Sequence, residues 1–338
     1  MTSPTRLQRV RGCLFGSAYG DAMGMPTEFL GYEEILKRFP PDGPRQLPGD
    51  DLHYVTDDTQ MALAVGEAML QMQAADDWSP SLAEKTLRET FVEWANSPDN
   101  FRAPGKTCMT ACWGLEAGKP WVQATIPRSK GCGANMRVTP VALAPLEETL
   151  QNGLAQFQAA ITHGHPTGLA AADVTCHTIR DLMAGGEPQT LPQRLREYIH
   201  SQRTVYHQEW LSDLWKQAPH NAAEDYIRYG WDECLGVLDR LQEALKNPNR
   251  QSDPCLATGE GWIAEEAWGT GLLCFLLYPE EPIEVLRRAA ATAGDSDSIA
   301  CLAGAFAGAA LGDGAWPTEW SEKIEYRERM ERIVQAFA

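Results

Sequence analysis

Gly294-Asp295-Ser296-Asp297-Ser298-Ile299-Ala300-Cys301-Leu302-Ala303-Gly304-Ala305-Phe306-Ala307-Gly308-Ala309-Ala310-Leu311-Gly312 decides how the chain folds. The stretch opens on two carboxylates with serines between and after them, then runs as a helix, Ile299–Leu311, built almost wholly from small and apolar residues. Glycine costs about 1 kcal/mol relative to alanine inside a helix. Yet Gly304, Gly308 and Gly312 recur every four residues along one stripe, where other helices can approach closely. Tight packing at the centre of a helical protein accounts for that stripe. The acids before it then stand at a helix start that points into the core.

A second stretch has the same grammar. Thr56-Asp57-Asp58-Thr59 precedes a helix over Met61–Gln73, with Ala62, Val65, Met69 and Met72 on one face. Leu82–Trp94 repeats the spacing through Leu87, Phe91 and Trp94 and stops at Asn96-Ser97-Pro98. Further helices are expected at Arg9–Met23, Leu146–Thr162, Leu169–Ala184, Gln193–Ser201, Glu224–Leu245, Glu265–Leu277 and Ile283–Ala293, and Lys323–Arg332 reads as a solvated helix with alternating charges. Alternating Val/Ile/Thr runs of strand length are nearly absent, which argues against βαβ architecture. The expectation is all-α: one domain over residues 6–337, without internal repeats, and with a weakly patterned, variable region at about 185–260.

Composition narrows the function. The 29 basic residues against 46 acidic ones give a net charge of −17, which repels nucleic-acid backbones and anionic membranes. The longest apolar runs, Ile299–Gly312 and Ala267–Tyr278, fall short of the roughly 20 residues of a membrane span. Met1–Arg11 has charges with no apolar run behind them, so no signal peptide is expected. The 9 cysteines form no CxxC pair and sit among apolar or small neighbours, as core residues of a reduced, cytoplasmic protein do.

Each acidic cluster alone reads equally well as a helix cap, since Asp, Ser and Thr accept hydrogen bonds from first-turn N–H groups. Asp57 with Gln60 even has capping-box spacing. Together they say more. A cap needs one acceptor, whereas each cluster offers two carboxylates plus hydroxyls, and buried unpaired charge is costly. Hard divalent cations take such oxygens. Four carboxylates and two hydroxyls suffice for two ions roughly 3.5–4 Å apart, an arrangement that activates water.

With these clusters in view, the chain resembles the ADP-ribosylglycohydrolase family. Gly12-Cys13-Leu14-Phe15-Gly16-Ser17-Ala18-Tyr19-Gly20-Asp21-Ala22-Met23-Gly24-Met25-Pro26-Thr27-Glu28-Phe29 is similar to its G-x-x-x-G-D-A-x-G-x-P-x-E-F signature. Thr56–Thr59, Gly131–Pro140, Thr162-His163-Gly164, Gly261–Ala267 and Gly294–Ser298 follow in family order, an ordered set too specific for chance. The resemblance implies a single large orthogonal helical bundle around a binuclear centre of Mg²⁺, with Mn²⁺ second. Its ligands would be Thr56, Asp57, Asp58, Asp295, Asp297 and Ser298, where the better-known members carry Thr in place of Ser298. It implies cleavage of the glycosidic bond of ADP-ribose on a protein side chain, arginine foremost. Glu28, with Asp295, takes the catalytic position. Gly131, Gly133 and Asn135 would approach the diphosphate, and His163 has a minor substrate role.

Asp21 reads equally as a buried structural acid or a substrate contact, Arg137 as structural before a substrate contact, and Trp262, at the start of a helix, as open to stacking an adenine. Some members hold an extra Asp in the loop that here runs Asn96–Thr107; Asp99 lies six residues before Gly105 and is not assigned. The partners implied are an ADP-ribosylated protein and a cognate ADP-ribosyltransferase, with housekeeping reversal and immunity against a toxin both compatible. Two rival readings are a non-catalytic, crystallin-like relative and a hydrolase of a small ADP-ribosylated metabolite.

Overall fold

The structure, a computed structural model, describes residues 3–338. Among these residues there is no β-strand, only three isolated bridges, so the all-α expectation holds. The principal helices are α1 (Arg6–Gly24), α2 (Asp57–Ala74), α3 (Pro80–Ala95), α4 (Lys106–Glu116), α5 (Glu148–Ala160), α6 (Pro166–Met183), α7 (Leu191–Gln202), α8 (Ala223–Lys246), α9 (Ala264–Leu277), α10 (Pro282–Ala290), α11 (Ser296–Leu311) and α12 (Arg327–Phe337). Local chemistry starts several of them. Thr5 and Gln8 form a capping box on α1, and Ser79 caps α3 with Pro80 at its first position.

The centre is the antiparallel pair α1/α11. A Cβ added to Gly16 would lie 2.4 Å from the Gly304 carbonyl oxygen, and one on Gly304 would lie 2.0 Å from that of Gly16. Gly12 meets Gly308, Gly20 meets Ala300, and Gly24 meets Ser296 and Asp297 in the same way. Backbone therefore lies on backbone along about three turns of each helix. The glycines of Gly12–Gly24 recur at the same four-residue interval as those of α11, so two matching stripes interlock. Arg9 closes the far end by donating to Ala309 O and Ala310 O of α11 and to Leu182 O of α6. α2, α6, α9 and α10 surround the pair, and all nine cysteines are buried and free.

Two of the longer helices differ from expectation. α4 escaped the periodicity because its buried face is made of Cys108, Ala111, Cys112 and Leu115, three of them too small to stand out as apolar. The segment read as a solvated helix at Lys323–Arg332 instead turns through Tyr326 (φ 57°) and continues as α12, which buries Met330, Ile333, Val334 and Phe337. Within 185–260, α8 buries Tyr226, Ile227, Trp231, Cys234, Val237, Leu238 and Leu241, and it packs on α6 and α9.

Gly20→Ala tests the close approach. Alanine alone would favour the helix by about 1 kcal/mol, but its Cβ would sit 1.9 Å from the Ala300 oxygen, so the helices must part. The expected net result is destabilisation by about 1–3 kcal/mol in urea or guanidinium unfolding. A neutral or stabilised variant would show that the packing is looser than described.

Candidate active site

The α1/α11 packing carries the end of α1 to the start of α11. The chain leaving α1 turns back through Thr27 N–H and Glu28 N–H, both donating to Gly24 O. Thr27 Oγ1 and Ser296 Oγ lie 3.0 Å apart and each donates to Gly24 O, which pins the two segments together. Glu28 thereby comes within reach of Asp295 and Asp297, with ligand oxygens of all three within 4.8 Å of one another.

Asp21, one turn earlier on α1, fixes the second cluster. Its carboxylate accepts from Thr56 N–H and Oγ1 at 3.0 and 2.8 Å, and from Thr59 N–H and Oγ1 at 3.1 and 2.5 Å. Of its two readings the structural one is what the geometry shows. The N-cap of α2 is Thr56, whose hydroxyl accepts from Asp58 N–H. Asp57 and Asp58 are therefore free of capping duty, and Gln60 does not close a capping box; it accepts from Trp94 Nε1 and donates to Asp99 O. Asp295 occupies the N-cap position of α11 without a side-chain cap bond. Capping thus leaves the carboxylates unexplained.

Their electrostatics sharpen the point. Burial pushes Glu28, Asp57, Asp58 and Asp295 well above the ordinary carboxylate range, and for each the Asp297 charge adds to the shift. Asp297 is itself raised by burial. Asp57 Oδ2 accepts one backbone N–H, from Gly105 at 3.1 Å, whereas Asp58 Oδ2 is buried without a partner. The flanking ion pairs, Lys130 with Glu233 and Glu265 and Arg102 with Glu325, do not include these acids. What does face them is helix N-termini. α2, α4 and α11 begin at the cavity, and α9 begins two residues after Trp262, which lines it. At about half a charge each, four termini offset roughly two of five negative charges. The remainder, an orphaned oxygen and an all-oxygen donor set fit hard divalent cations, with Asp57, Asp58, Asp295, Asp297 and Glu28 as available donors.

The cavity above the acids has a volume of about 320 Å³. Glu28, Asp57, Asp58, Asp295, Asp297 and Ser298 line it, together with Gly131, Gly133 and His163 from the expected substrate set. Gly133 is needed for packing: a Cβ there would lie 2.7 Å from Cys108 Sγ and 3.0 Å from His163 Cε1, whereas one on Gly131 would make only ordinary contact, 3.4 Å from His163 Nε2. His163 is held neutral by burial, with Nδ1 2.8 Å from Thr162 Oγ1. Thr56 and Asn135 stand behind the wall. Thr56 is tied to Asp21, and Asn135, fully buried, donates to Ala264 O. Arg137 is structural, bonded to Gln158 and Thr162 under the Phe91 ring. Asp99 accepts from Tyr326 OH and lines a different cavity beside Gln60. Several cavity residues escaped assignment to the site in the sequence reading, among them Phe29, Trp262 and, at the start of α4, Lys106 and Thr107. For Phe29 a signal existed, its place next to Glu28; for α4 there was none.

A helical protein with a buried carboxylate centre at the meeting of several helix N-termini defines the class, and comparison with known proteins supplies the family. The ADP-ribosylglycohydrolase model matches residues 2–338, and the chain belongs to that family. It is similar to the ADP-ribosyl-[dinitrogen reductase] glycohydrolase of Rhodospirillum rubrum, 24% identical with 98% of this chain and 95% of the relative covered. It is also similar to the ADP-ribosylarginine hydrolase Tri1 of Serratia proteamaculans, 24% identical over 97% and 78%. A solved structure titled an ADP-ribosylglycohydrolase-related protein complex shares the fold, with TM-score 0.66 and 24% identity over 98% of this chain and 97% of that one. The protein is thus a hydrolase of the ADP-ribosylglycohydrolase type. No helix among the described residues is long and apolar enough to cross a membrane.

The acid cluster makes a signed prediction. Carboxylates raised by burial and mutual repulsion contribute stability that is present at low pH and lost as pH rises through their folded values. In chelator, stability should therefore fall as pH climbs from about 4 through neutrality. Saturating Mg²⁺ should remove that slope and add about 2.7 kcal/mol at 100 times its Kd. Thermal melts of wild type and Asp58→Asn, with Mg²⁺ and with chelator, check it. An unchanged Mg²⁺ response in the variant would exclude Asp58 as a donor.

Proposed function

We propose that the protein removes ADP-ribose from a protein side chain, arginine foremost, and that divalent cations, Mg²⁺ before Mn²⁺, are required. The observation that carries this is the group of five buried or half-buried carboxylates, three within 4.8 Å, with no cationic side chain among the described residues paired to them. The arginine linkage is supported by the similarity to a hydrolase named for ADP-ribosylarginine, and a protein substrate by the relative named for dinitrogen reductase. We read residues 6–337 as one catalytic domain acting in the cytoplasm, with an ADP-ribosyltransferase as the class of enzyme that supplies its substrate.

Asp57, Asp58, Asp295 and Asp297, with Ser298 and Thr56 at the margins, would hold the cations. Thr56 is the weakest member, because its hydroxyl already donates to Asp21. Bound there, the cations supply Lewis acidity toward ribose hydroxyls and water. The chain's own residues do the rest. Glu28, half-buried at the cavity wall, accepts a proton from the water that attacks the anomeric carbon. The neighbouring carboxylates stabilise the oxocarbenium-like charge that develops on the ring. Gly131 and Gly133 bring the Ser129–Asn135 turn against His163, forming the wall on which we place the diphosphate.

Release of ADP-ribose from an arginine-modified protein, assayed with Mg²⁺ and then with chelator, tests the reading. Metal-dependent release is expected. Intact metal binding without release would overturn the arginine linkage, and the absence of both would overturn catalysis by this centre. Glu28→Gln should lower kcat by about 10²–10⁴ while ADP-ribose still binds in calorimetry. An active variant would remove Glu28 from the role of base.

A further inference from the structure

Phe29 follows Glu28 directly, and its backbone lies in the left-handed region at φ 64°, which a bulky side chain rarely adopts. A turn that needed only that conformation would be served better by glycine or asparagine. The strained conformation has a visible result: the ring is carried to the cavity rim, 69% exposed, and stacks on Trp262 at 5.6 Å between centroids and 19° between planes. Trp262 is 38% exposed, and both rings line the cavity. Two large aromatic side chains left open to water, one on a strained backbone, are costly unless something covers them.

Their anchors place them over the reacting end of the site. Phe29 adjoins Glu28, and Trp262 adjoins Gly261, whose added Cβ would lie 3.5 Å from Asp295 Cβ. Asp295 N–H in turn donates to Glu260 O at 2.7 Å. Phe29 therefore sits beside the Glu28–Asp295–Asp297 trio, and Trp262 spans from that trio to the turn at Cys132, whose N–H donates to Trp262 O at 3.1 Å. The adenine of ADP-ribose lies at the opposite end of the molecule from the anomeric carbon, beyond the diphosphate. A group that meets the stacked pair on its Phe29 side, next to Glu28, belongs to the leaving side.

We propose that Phe29 and Trp262 form the acceptor subsite, a π surface that holds the planar, cationic guanidinium of the modified arginine before cleavage; as the C–N bond breaks, its electron pair leaves with the guanidine nitrogen, which takes up the proton that Glu28 drew from water. The inference rests on the arginine reading above and adds which residues select for it. The carboxylates below do not carry it, since cations are placed there. What selects is the ring faces, on which a guanidinium both stacks and gains cation–π attraction, whereas a serine hydroxyl has neither a plane nor a charge to offer.

The test uses the full-length, metal-loaded enzyme with Phe29→Leu and Trp262→Leu, which keep apolar bulk and remove the π face, beside Phe29→Tyr and Trp262→Phe, which keep it. For an arginine-linked substrate the leucine variants should lose about tenfold in kcat/KM, mainly through KM, and the aromatic variants should stay near wild type. Calorimetric affinity for free ADP-ribose should be unchanged in all four. Quenching of tryptophan fluorescence by agmatine, with ADP-ribose present, should weaken in Trp262→Leu. A parallel loss of ADP-ribose affinity would assign the rings to the nucleotide, and undiminished kcat/KM in the leucine variants would leave them without a role; either result overturns the proposal. So does a wild type that binds ADP-ribose yet acts only on serine-linked protein, an outcome that shows the arginine reading failing first, before any variant is made.

Discussion

Everything in this molecule hangs on the contact of α1 and α11 without side chains between them. Gly12, Gly16, Gly20 and Gly24 face Gly308, Gly304, Ala300 and Ser296 in one antiparallel register. Packing density in a protein interior leaves no slack, so the register fixes where both helices end. At one end Arg9 gathers the free carbonyls of two helices. At the other, the turn after α1 delivers Glu28 to the first turn of α11. Each glycine costs helix stability, and the close approach of two backbones, with the dispersion contacts it allows, offsets that cost.

The second organising force is electrostatic. Asp21 spends its whole hydrogen-bonding capacity on the start of α2, which aims Asp57 and Asp58 toward Asp297. Helix N-termini crowd around the acids and lower the cost of keeping them there, but half a charge per terminus cannot match five carboxylates. A site held together by packing and opposed by its own charge has a built-in demand for cations. Burial supplies the same demand twice over, by excluding water and by bringing like charges together.

Much of this was legible in the chain. The apolar and small-residue periodicities gave most of the long helices, with boundary errors of a few residues, because periodicity reports a buried face. It failed at Lys106–Glu116, where cysteine and alanine form that face, and at Arg327–Phe337, where charges on the outer face drew the reading to solvent. The two Asp clusters were visible as too many acceptors for two caps. The matching four-residue glycine spacing of Gly12–Gly24 and Gly304–Gly312 was also in plain view, and it is the signal from which the pairing of the two helices follows.

By itself, then, the sequence determined the helical class, the acids at two helix starts and, through ordered motifs, the family. Those properties are local: they depend on spacing along one segment. Only the tertiary structure decided which acids share a cavity, that Asp21 serves α2, that Asp99 points to Tyr326, that Thr56 and Asn135 stand behind the wall, and that Phe29 meets Trp262. Each of these is a distance between segments far apart in the chain, and such distances are set by helix packing, which no single stretch of sequence encodes.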